Sequence, residues 1–240
     1  MKVLVTGGSG FIASHVVDKL KEAGHDPVNY DLRPSPYRDD IEFAEGSITD
    51  VDTLERAMLG CDAVMHLAAA ADVNEVKRVV YSSTIWVYQD NEELEIDETV
   101  NPALPSHLYT AGKLAGEAYC TSYKALYDLD YTILRFGIPY GPRAREATVL
   151  ALFVGKLMKG EPITLAGGGT QTRRFVYVED IADACVLALQ PAAANRIYNL
   201  VGTEETSIRE VAEKAQELVG EGEVLITEGR AGDFAGAVIS

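Results

Sequence analysis

Tyr109 and Lys113 stand four residues apart in the segment Tyr109-Thr-Ala-Gly-Lys113. Residues with this spacing lie on one face of a helix. A free tyrosine, with a pKa of about 10, is scarcely ionised near neutral pH, and a neighbouring ammonium group favours its phenolate. The pair therefore predicts a base that takes the proton of a substrate hydroxyl while hydride leaves the carbon that bears this hydroxyl.

A third candidate residue, a threonine, follows a strand-like run. Thr84 closes the sequence Ser82-Ser83-Thr84 after the apolar segment 78–82. Ligands bind at the carboxyl ends of the strands in such sheets, so we expect Thr84 to hydrogen-bond the substrate oxygen. A plainer interpretation stays open, in which the Thr84 hydroxyl only caps the turn that follows.

A glycine-rich turn begins the chain. The segment 6–13, Thr-Gly-Gly-Ser-Gly-Phe-Ile-Ala, follows an apolar strand and opens a helix, and includes Gly7 and Gly10. Such a turn lets backbone N–H groups and a helix N-terminus approach a pyrophosphate. Asp31 ends the second strand, where a carboxylate accepts from ribose hydroxyls and repels a 2′-phosphate. The sequence predicts NAD as the cofactor, although the nearby Arg33 leaves NADP open.

The elements that position these residues alternate between strand and helix. Short apolar runs predict six buried strands, at 2–6, 28–31, 43–48, 62–68, 78–82 and 131–136. Helical patterns between them predict a Rossmann-type α/β fold, a doubly wound parallel sheet. We expect an NAD-binding domain at 1–145, which includes the Tyr109 helix. A smaller α/β substrate lobe, partly interleaved with it, is expected at 146–240.

One connection is shorter than this fold usually needs. Only residues 69–76 separate the fourth predicted strand from the fifth, whereas a parallel crossover normally takes a dozen residues or more. An extended return across the sheet is long enough at about 3.3 Å per residue. The sheet therefore need not break, although one face would lose cover. Either the connection is genuinely this short or a segment is missing from the sequence here, and both interpretations stay open.

Composition narrows the function classes. The chain has 240 residues, 47% of them hydrophobic, and a net charge of −16. The negative charge opposes binding to nucleic acid or to an anionic membrane surface. No apolar run reaches the length of a membrane span, and no signal peptide is evident, so we expect a cytoplasmic protein. The three cysteines lack metal-ligand spacing, so we expect core thiols and no metal site.

Several segments, in order, resemble the extended short-chain dehydrogenase/reductases, specifically the NAD-dependent epimerase/dehydratase family that acts on nucleotide-sugars. They are VTGGSGFIASH, Asp31, HLAAAADV (66–73), RVVYSSTIWVY (78–88), Tyr109 with Lys113, LRFGIPYGP (134–142), GGGTQTRRFVYVED (167–180) and GRAGD (229–233). The resemblance implies that NAD contacts Gly7, Gly10, Phe11, Ile12, Asp31, Ile48, Leu67, Ala68, Ala69, Tyr109 and Lys113. It implies a nucleotide-sugar site at Thr84, Tyr109, Val149, Arg173 and Arg230, with the two arginines holding the diphosphate. In the plainer interpretation Arg173 and Arg174 are solvated loop charges.

The residues after Thr84 indicate which reaction of this family to expect. The sugar 4,6-dehydratases carry acidic residues there, because elimination of water needs a further acid and base. Ile85 and Trp86 stand in those places. We therefore expect a nucleotide-sugar 4-epimerase, on a UDP-sugar, that works through a 4-keto intermediate. The alternatives are a ketoreductase or dehydrogenase of the same family, or a catalytically silent NAD-binding protein.

The resemblance also bears on assembly and on the ligand contacts. The helix that this chain lacks after Val73 normally forms the family's dimer interface together with the tyrosine-bearing helix. A homodimer stays open, but dimerisation in that usual mode is not favoured. Ile138 stands where the family usually has asparagine, which implies one polar contact fewer to the cofactor or the nucleotide-sugar.

Overall fold

The computed structural model describes residues 1–66, 76–91, 95–220, 222–228 and 238–239. The strands are β1 (Lys2–Thr6), β2 (Asp26–Asp31), β3 (Glu42–Glu45), β4 (Ala63–His66), β5 (Arg78–Thr84), β6 (Glu95–Ile96), β7 (Asp130–Phe136), β8 (Ile138–Tyr140), β9 (Ile163–Ala166), β10 (Thr172–Arg173), β11 (Phe175–Tyr177), β12 (Arg196–Leu200), β13 (Thr206–Ser207), β14 (Val224–Thr227) and β15 (Val238–Ile239). The α-helices are α1 (Phe11–Glu22), α2 (Val51–Met58), α3 (Leu108–Tyr127), α4 (Val149–Met158), α5 (Val178–Leu187) and α6 (Ile208–Val219). Short 3₁₀ helices cover Ile85–Tyr88, Gly167–Gly169 and Pro191–Ala193.

Seven strands form one sheet, in the order β12-β7-β5-β4-β1-β2-β3. Every pair of neighbours in it is parallel. The six strands expected from the sequence all belong to this sheet, and β12 is an additional one. The predicted Rossmann-type α/β fold is confirmed.

The main sheet has an apolar core on each of its two faces, because side chains alternate along its strands. Val3 and Val5 of β1 pack in a cluster with residues of α1 and α5. Leu4, between them, packs on the other face with Leu54 and Met58 of α2. This alternation follows from the pleat of a strand, in which successive side chains point to opposite faces. A strand with helices on both sides is therefore apolar at successive positions, as β1 is at Val3, Leu4 and Val5.

The short connection leaves the sheet continuous. β4 and β5 are parallel neighbours, although only residues 67–77 connect them. Val64 of β4, on the face of the sheet that α2 covers, is 1% exposed. It is buried because it packs in a cluster with Leu54, Met58 and Val76.

The second half of the chain builds a smaller lobe around its own apolar cluster. Phe153 and Leu157 of α4 pack against Ile163 of β9 and Val211 of α6. Two-stranded ladders frame this lobe, with β9 parallel to β14 and β10 antiparallel to β13. The same half of the chain supplies β12 to the main sheet, and α5 to the face where α1 lies. The domain boundary after residue 145 stays a prediction.

The cysteines are free thiols. Cys61 and Cys185 are buried, and Cys120 is half-buried. Among the described residues, no group of histidines, cysteines and carboxylates could hold a metal ion. Within the same ranges, no helix is both long and apolar enough to cross a bilayer.

Candidate active site

A cavity of about 1090 Å³ opens at the carboxyl ends of the central strands. The residues that end or directly follow β1, β2, β5 and β7 line one side of it, and the small lobe lines the other. Ten of the predicted site residues contribute to the wall, namely Gly7, Gly10, Phe11, Ile12, Asp31, Thr84, Tyr109, Lys113, Val149 and Arg173. The topology thus brings together residues that are far apart in sequence.

The glycine turn joins β1 to α1 without a bulky side chain. Gly7 has a φ of 75°, in the left-handed region that favours glycine. A Cβ on Gly8 would collide with the side chain of Asn29, so a larger residue does not fit there. Gly10 is the N-cap of α1, and no side chain caps this helix end. The first N–H groups of α1 therefore have no side-chain acceptor and suit an anionic group.

Asp31 closes the cofactor end of the cavity. Its carboxylate accepts hydrogen bonds from the backbone N–H groups of Ser9, at 3.2 Å, and Leu32, at 2.7 Å. The first bond ties the end of β2 to the glycine turn. The carboxylate is thus held on the cavity wall, where ribose hydroxyls could donate to it.

Tyr109 and Lys113 lie on the first turns of α3, as their spacing predicts. His107 is the N-cap of this helix, and its Nδ1 accepts from the N–H of Tyr109 at 3.1 Å. Lys113 donates from Nζ to the carbonyl of Ser82 at 2.9 Å, and its Nζ lies 5.9 Å from the centroid of the Tyr109 ring. Burial lowers the pKa of Lys113. The ammonium group is therefore fixed near the phenol, and water screens its field less than at the surface.

Thr84 ends β5 on the cavity wall and is 4% exposed. Its Oγ1 accepts from the N–H of Trp86 at 3.3 Å and caps the 3₁₀ helix. The capping role considered from the sequence is therefore present. It uses the oxygen as an acceptor, so the hydroxyl proton can still be donated to a ligand.

The small lobe adds polar side chains that the sequence did not single out. Arg145 and Gln171 line the cavity together with Arg173. In the described part of the chain, the guanidinium of Arg145 makes no hydrogen bond or ion pair. Arg174 turns away from the cavity and donates to the carbonyls of Gly202 and Thr203, each at 3.4 Å. The loops that bring Arg145 and Gln171 to the wall leave no periodic pattern in the sequence.

Five predicted ligand contacts are not placed on this wall. Ile48 packs against the apolar cluster beneath α2, because the chain turns towards that helix after β3, and it is not among the residues that line the cavity. Leu67, Ala68, Ala69 and Arg230 lie outside the described residues. Their roles stay predictions.

A buried ion pair stands behind the wall. Glu117 of α3 and Arg135 of β7 are 6% and 2% exposed, and the Oε2 of Glu117 lies 2.6 Å from Nη2 of Arg135. The pair was not predicted from the sequence, since a glutamate in a helix and an arginine in a strand are most often surface charges. The position of Glu117 one turn after Lys113 was the available signal.

The parallel sheet, the glycine turn and the tyrosine–lysine pair on one cavity define a dinucleotide-binding enzyme of the short-chain dehydrogenase/reductase class. The chain belongs to the NAD-dependent epimerase/dehydratase family, whose sequence model matches residues 3–76 and 69–201. It is 33% identical to a protein of Methanocaldococcus jannaschii named putative UDP-glucose 4-epimerase, over 96% of this chain and 87% of that one.

Two solved structures have the same fold. The UDP-glucose 4-epimerase of Thermotoga maritima, solved with UDP-glucose, superposes with a TM-score of 0.89 at 29% identity. The UDP-glucose 4-epimerase of Thermus thermophilus, solved with NAD, has a TM-score of 0.87 at 31% identity. Each superposition covers 100% of this chain and 90% of the other.

Proposed function

We propose that this chain is an NAD-dependent nucleotide-sugar 4-epimerase that acts on a UDP-sugar through a transient 4-keto intermediate. One observation carries the proposal. Tyr109, Lys113 and Thr84 line the same cavity as the glycine turn and Asp31. An acid–base group thus lies in one space with a dinucleotide site.

The cofactor end of the cavity fits NAD. Gly7, Gly10 and the uncapped start of α1 would hold the pyrophosphate, and Asp31 would accept from the adenosine ribose. The side chains of Phe11 and Ile12 supply apolar wall. When bound, NAD supplies the reversible acceptor for the hydrogen on C4 of the sugar.

The acid–base work falls to Tyr109. Its phenolate oxygen takes the proton of the C4 hydroxyl during oxidation, and the phenol so formed returns that proton to the same oxygen during reduction. Lys113 favours the phenolate electrostatically, because its ammonium group is held near the ring. Thr84 donates a hydrogen bond from its hydroxyl to the C4 oxygen and keeps that oxygen near Tyr109. The keto-sugar rotates within the site between the two half-reactions, so the hydride returns to the opposite face of the C4 carbonyl.

The diphosphate requires positive charge inside an acidic protein. Arg173 and Arg145 line the small-lobe side of the cavity, and a guanidinium group matches phosphate oxygens. The relatives named above support uridine diphosphate as the carrier. Elimination of water is not supported, since Ile85 and Trp86 follow Thr84 and bring no carboxylate to the wall.

Assembly and location stay predictions. A homodimer is possible, although the short connection after β4 does not favour the family's usual pair of helices as its interface. A cytoplasmic location would fit a substrate that is a soluble nucleotide-sugar.

The test is conversion of a UDP-sugar without an external reductant. The purified protein would be incubated with catalytic NAD and UDP-glucose, UDP-glucuronate or UDP-N-acetylglucosamine, and followed by proton NMR. We expect the C4 epimer of at least one sugar, at a level that stays constant once equilibrium is reached. No conversion, together with reduction of the corresponding 4-keto-sugars by added NADH, would instead identify a ketoreductase. Tight NAD binding with neither reaction would indicate a silent protein.

A further inference from the structure

The helix that carries Tyr109 and Lys113 contacts the end of β5 at successive turns. Tyr109, Lys113 and Glu117 are spaced four residues apart on α3. Lys113 Nζ donates to the carbonyl of Ser82 at 2.9 Å, and Ser83 Oγ donates to Oε1 of Glu117 at 2.5 Å. Two consecutive residues of β5 are therefore fixed by two consecutive turns of α3. Thr84 is the next residue along.

The ion pair extends this attachment to the neighbouring strand. Ser83 and Arg135 are paired in the parallel register of β5 and β7, so their side chains stand side by side beneath α3. Glu117 bridges them, because its Oε1 accepts from Arg135 Nε at 3.0 Å and its Oε2 accepts from Nη2 at 2.6 Å. The three residues are each at most 6% exposed.

Arg135 also reaches the segment that follows Thr84. Its Nη1 donates to the hydroxyl oxygen of Tyr88, the last residue of the 3₁₀ helix that Thr84 caps. Tyr88 in turn donates to Asn199 Oδ1 at 3.3 Å or to the carbonyl of Asp97 at 3.2 Å. The network thus holds the chain one residue before Thr84 and four residues after it.

We propose that Glu117 and Arg135 are positioning residues of the active site. Their ion pair fixes residues 83–88, the Thr84 segment, against the helix that bears Tyr109 and Lys113. The reason is geometric. Tyr109 and Thr84 must reach the same substrate oxygen, yet they belong to different elements. A shift between α3 and β5 would separate them without altering either side chain. This inference rests on the proposed function for its kinetic consequence, but not for its structural one.

Ser83→Ala and Tyr88→Phe each remove one link between the ion pair and the Thr84 segment, and both leave the pair intact. A misplacement of about 1 Å can cost about a hundredfold in rate, so we expect kcat to fall about tenfold to a hundredfold in each variant. KM for the UDP-sugar and the affinity for NAD should change less than about twofold, because most of the ligand contacts are elsewhere.

Thr132→Val is the matched control. Thr132 lies on β7 and is fully buried, and its hydroxyl donates to the carbonyl of Ala193 at 2.8 Å or of Ala188 at 3.2 Å, away from the cavity. The control should lower Tm about as much as the two test variants while leaving kcat at the wild-type value. Equal kcat in all three variants, measured well below Tm, would overturn the proposal.

A second measurement does not depend on turnover. Trp86 is the single tryptophan of the chain and lies within the Thr84 segment. We expect acrylamide to quench its fluorescence more strongly in Ser83→Ala and Tyr88→Phe than in wild type and Thr132→Val. If wild type proves inactive on every nucleotide-sugar, the proposed function fails and the quenching alone decides the positioning role. Quenching that is identical in all four proteins would then reject that role.

Discussion

Tyr109 is half exposed on the cavity wall, and its hydroxyl is the acid–base group of the proposed reaction. Tyr109→Phe removes only that oxygen. We expect kcat to fall by about 10²- to 10⁴-fold, the usual contribution of a positioned acid or base. NAD should still bind, because the phenyl ring stays in place. Proton NMR of the reaction measures the fall in kcat, and calorimetric titration measures whether NAD still binds.

Tyr119→Phe is the control for this variant. Tyr119 also lies on α3, but it is 67% exposed and does not line the cavity. It should keep the wild-type kcat. Full turnover by Tyr109→Phe with intact NAD binding would remove Tyr109 from the mechanism.

In the proposed cofactor site, the carboxylate of Asp31 would set the preference between NAD and NADP. In Asp31→Asn the negative charge is lost, while one side-chain oxygen remains to accept from the ribose. Because hydrogen bonds to charged groups are worth about 1.5–3 kcal/mol, we expect NAD to bind about tenfold more weakly. NADP should gain relative to NAD, since its 2′-phosphate is no longer repelled. Calorimetric titration with both dinucleotides measures the change.

Asp39→Asn makes the same charge change in the loop after β2, at an exposed residue that does not line the cavity. Its ratio of NAD to NADP affinity should match that of wild type. An equal change in that ratio in both variants would indicate a general effect of net charge and not a contact of Asp31.

At the scale of elements, α3 packs on β5 through a glycine. A Cβ on Gly116 would collide with the ring of Tyr81, whereas a Cβ on Gly112 in the same helix meets nothing within 4 Å. Gly116→Ala should therefore destabilise the protein by about 1–3 kcal/mol, as overpacked cores do. It should also lower kcat, because α3 is displaced from β5 together with Tyr109.

Gly112→Ala is the matched substitution on that helix. It should raise the free energy of unfolding by about 0.4–1 kcal/mol, because alanine has less freedom than glycine in the unfolded chain. Chemical denaturation of both variants tests the pair. A Gly116→Ala protein as stable as Gly112→Ala would contradict the close approach of α3 to β5.

The sequence predicted the inner strands well and the last strand of the sheet not at all. β1 holds the run Val3-Leu4-Val5 and β7 the pair Ile133-Leu134, and such adjacent apolar residues are the pattern of a strand covered on both faces. β12 has the sequence RIYNL, and four of its five residues are only half-buried. An edge strand of this kind has neither a continuous apolar run nor a clean alternation. Only its pairing with β7 defines it.

The site divides in the same way. Tyr109, Lys113 and the glycine turn depend on short-range spacing, which is visible along the chain. Arg145 reaches the cavity through the loop before α4, and Glu117 meets Arg135 only because α3 lies across β5 and β7. Such contacts join residues that are distant in sequence, and one sequence alone carries no record of which distant residues meet.

At the scale of the whole molecule, a buried histidine makes stability depend on pH. His66 ends β4, is 2% exposed, and its Nδ1 lies 3.0 Å from Thr6 Oγ1. Burial, with a smaller contribution from the charge of Lys113, lowers the pKa of His66 from 6.5 to about 4. Below pH 6.5 the unfolded chain takes up a proton that the folded chain does not. Stability should therefore fall as the pH drops from 6.5 to about 4, by about 3 kcal/mol in total.

His66→Asn keeps a polar side chain at this position but cannot titrate. Its free energy of unfolding should change less than that of wild type over the same pH range. Urea denaturation at several pH values measures both slopes. Equal slopes would mean that other groups cause the acid sensitivity.

Strand β12 pairs with β7 but comes 60 residues later in the sequence, which affects folding during synthesis. β7 is covered on one side by β5, and on the other only by residues 196–200. A ribosome adds about 5–20 residues per second, so residues 137–200 take roughly 3 to 13 seconds to emerge after β7. During that interval a nascent chain presents the unpaired edge of a buried strand, which can pair with another copy. A fragment ending at residue 145 should therefore sediment as aggregates while the full chain does not, and yield of the full chain in cells should rise with the supply of chaperones that shield nascent strands.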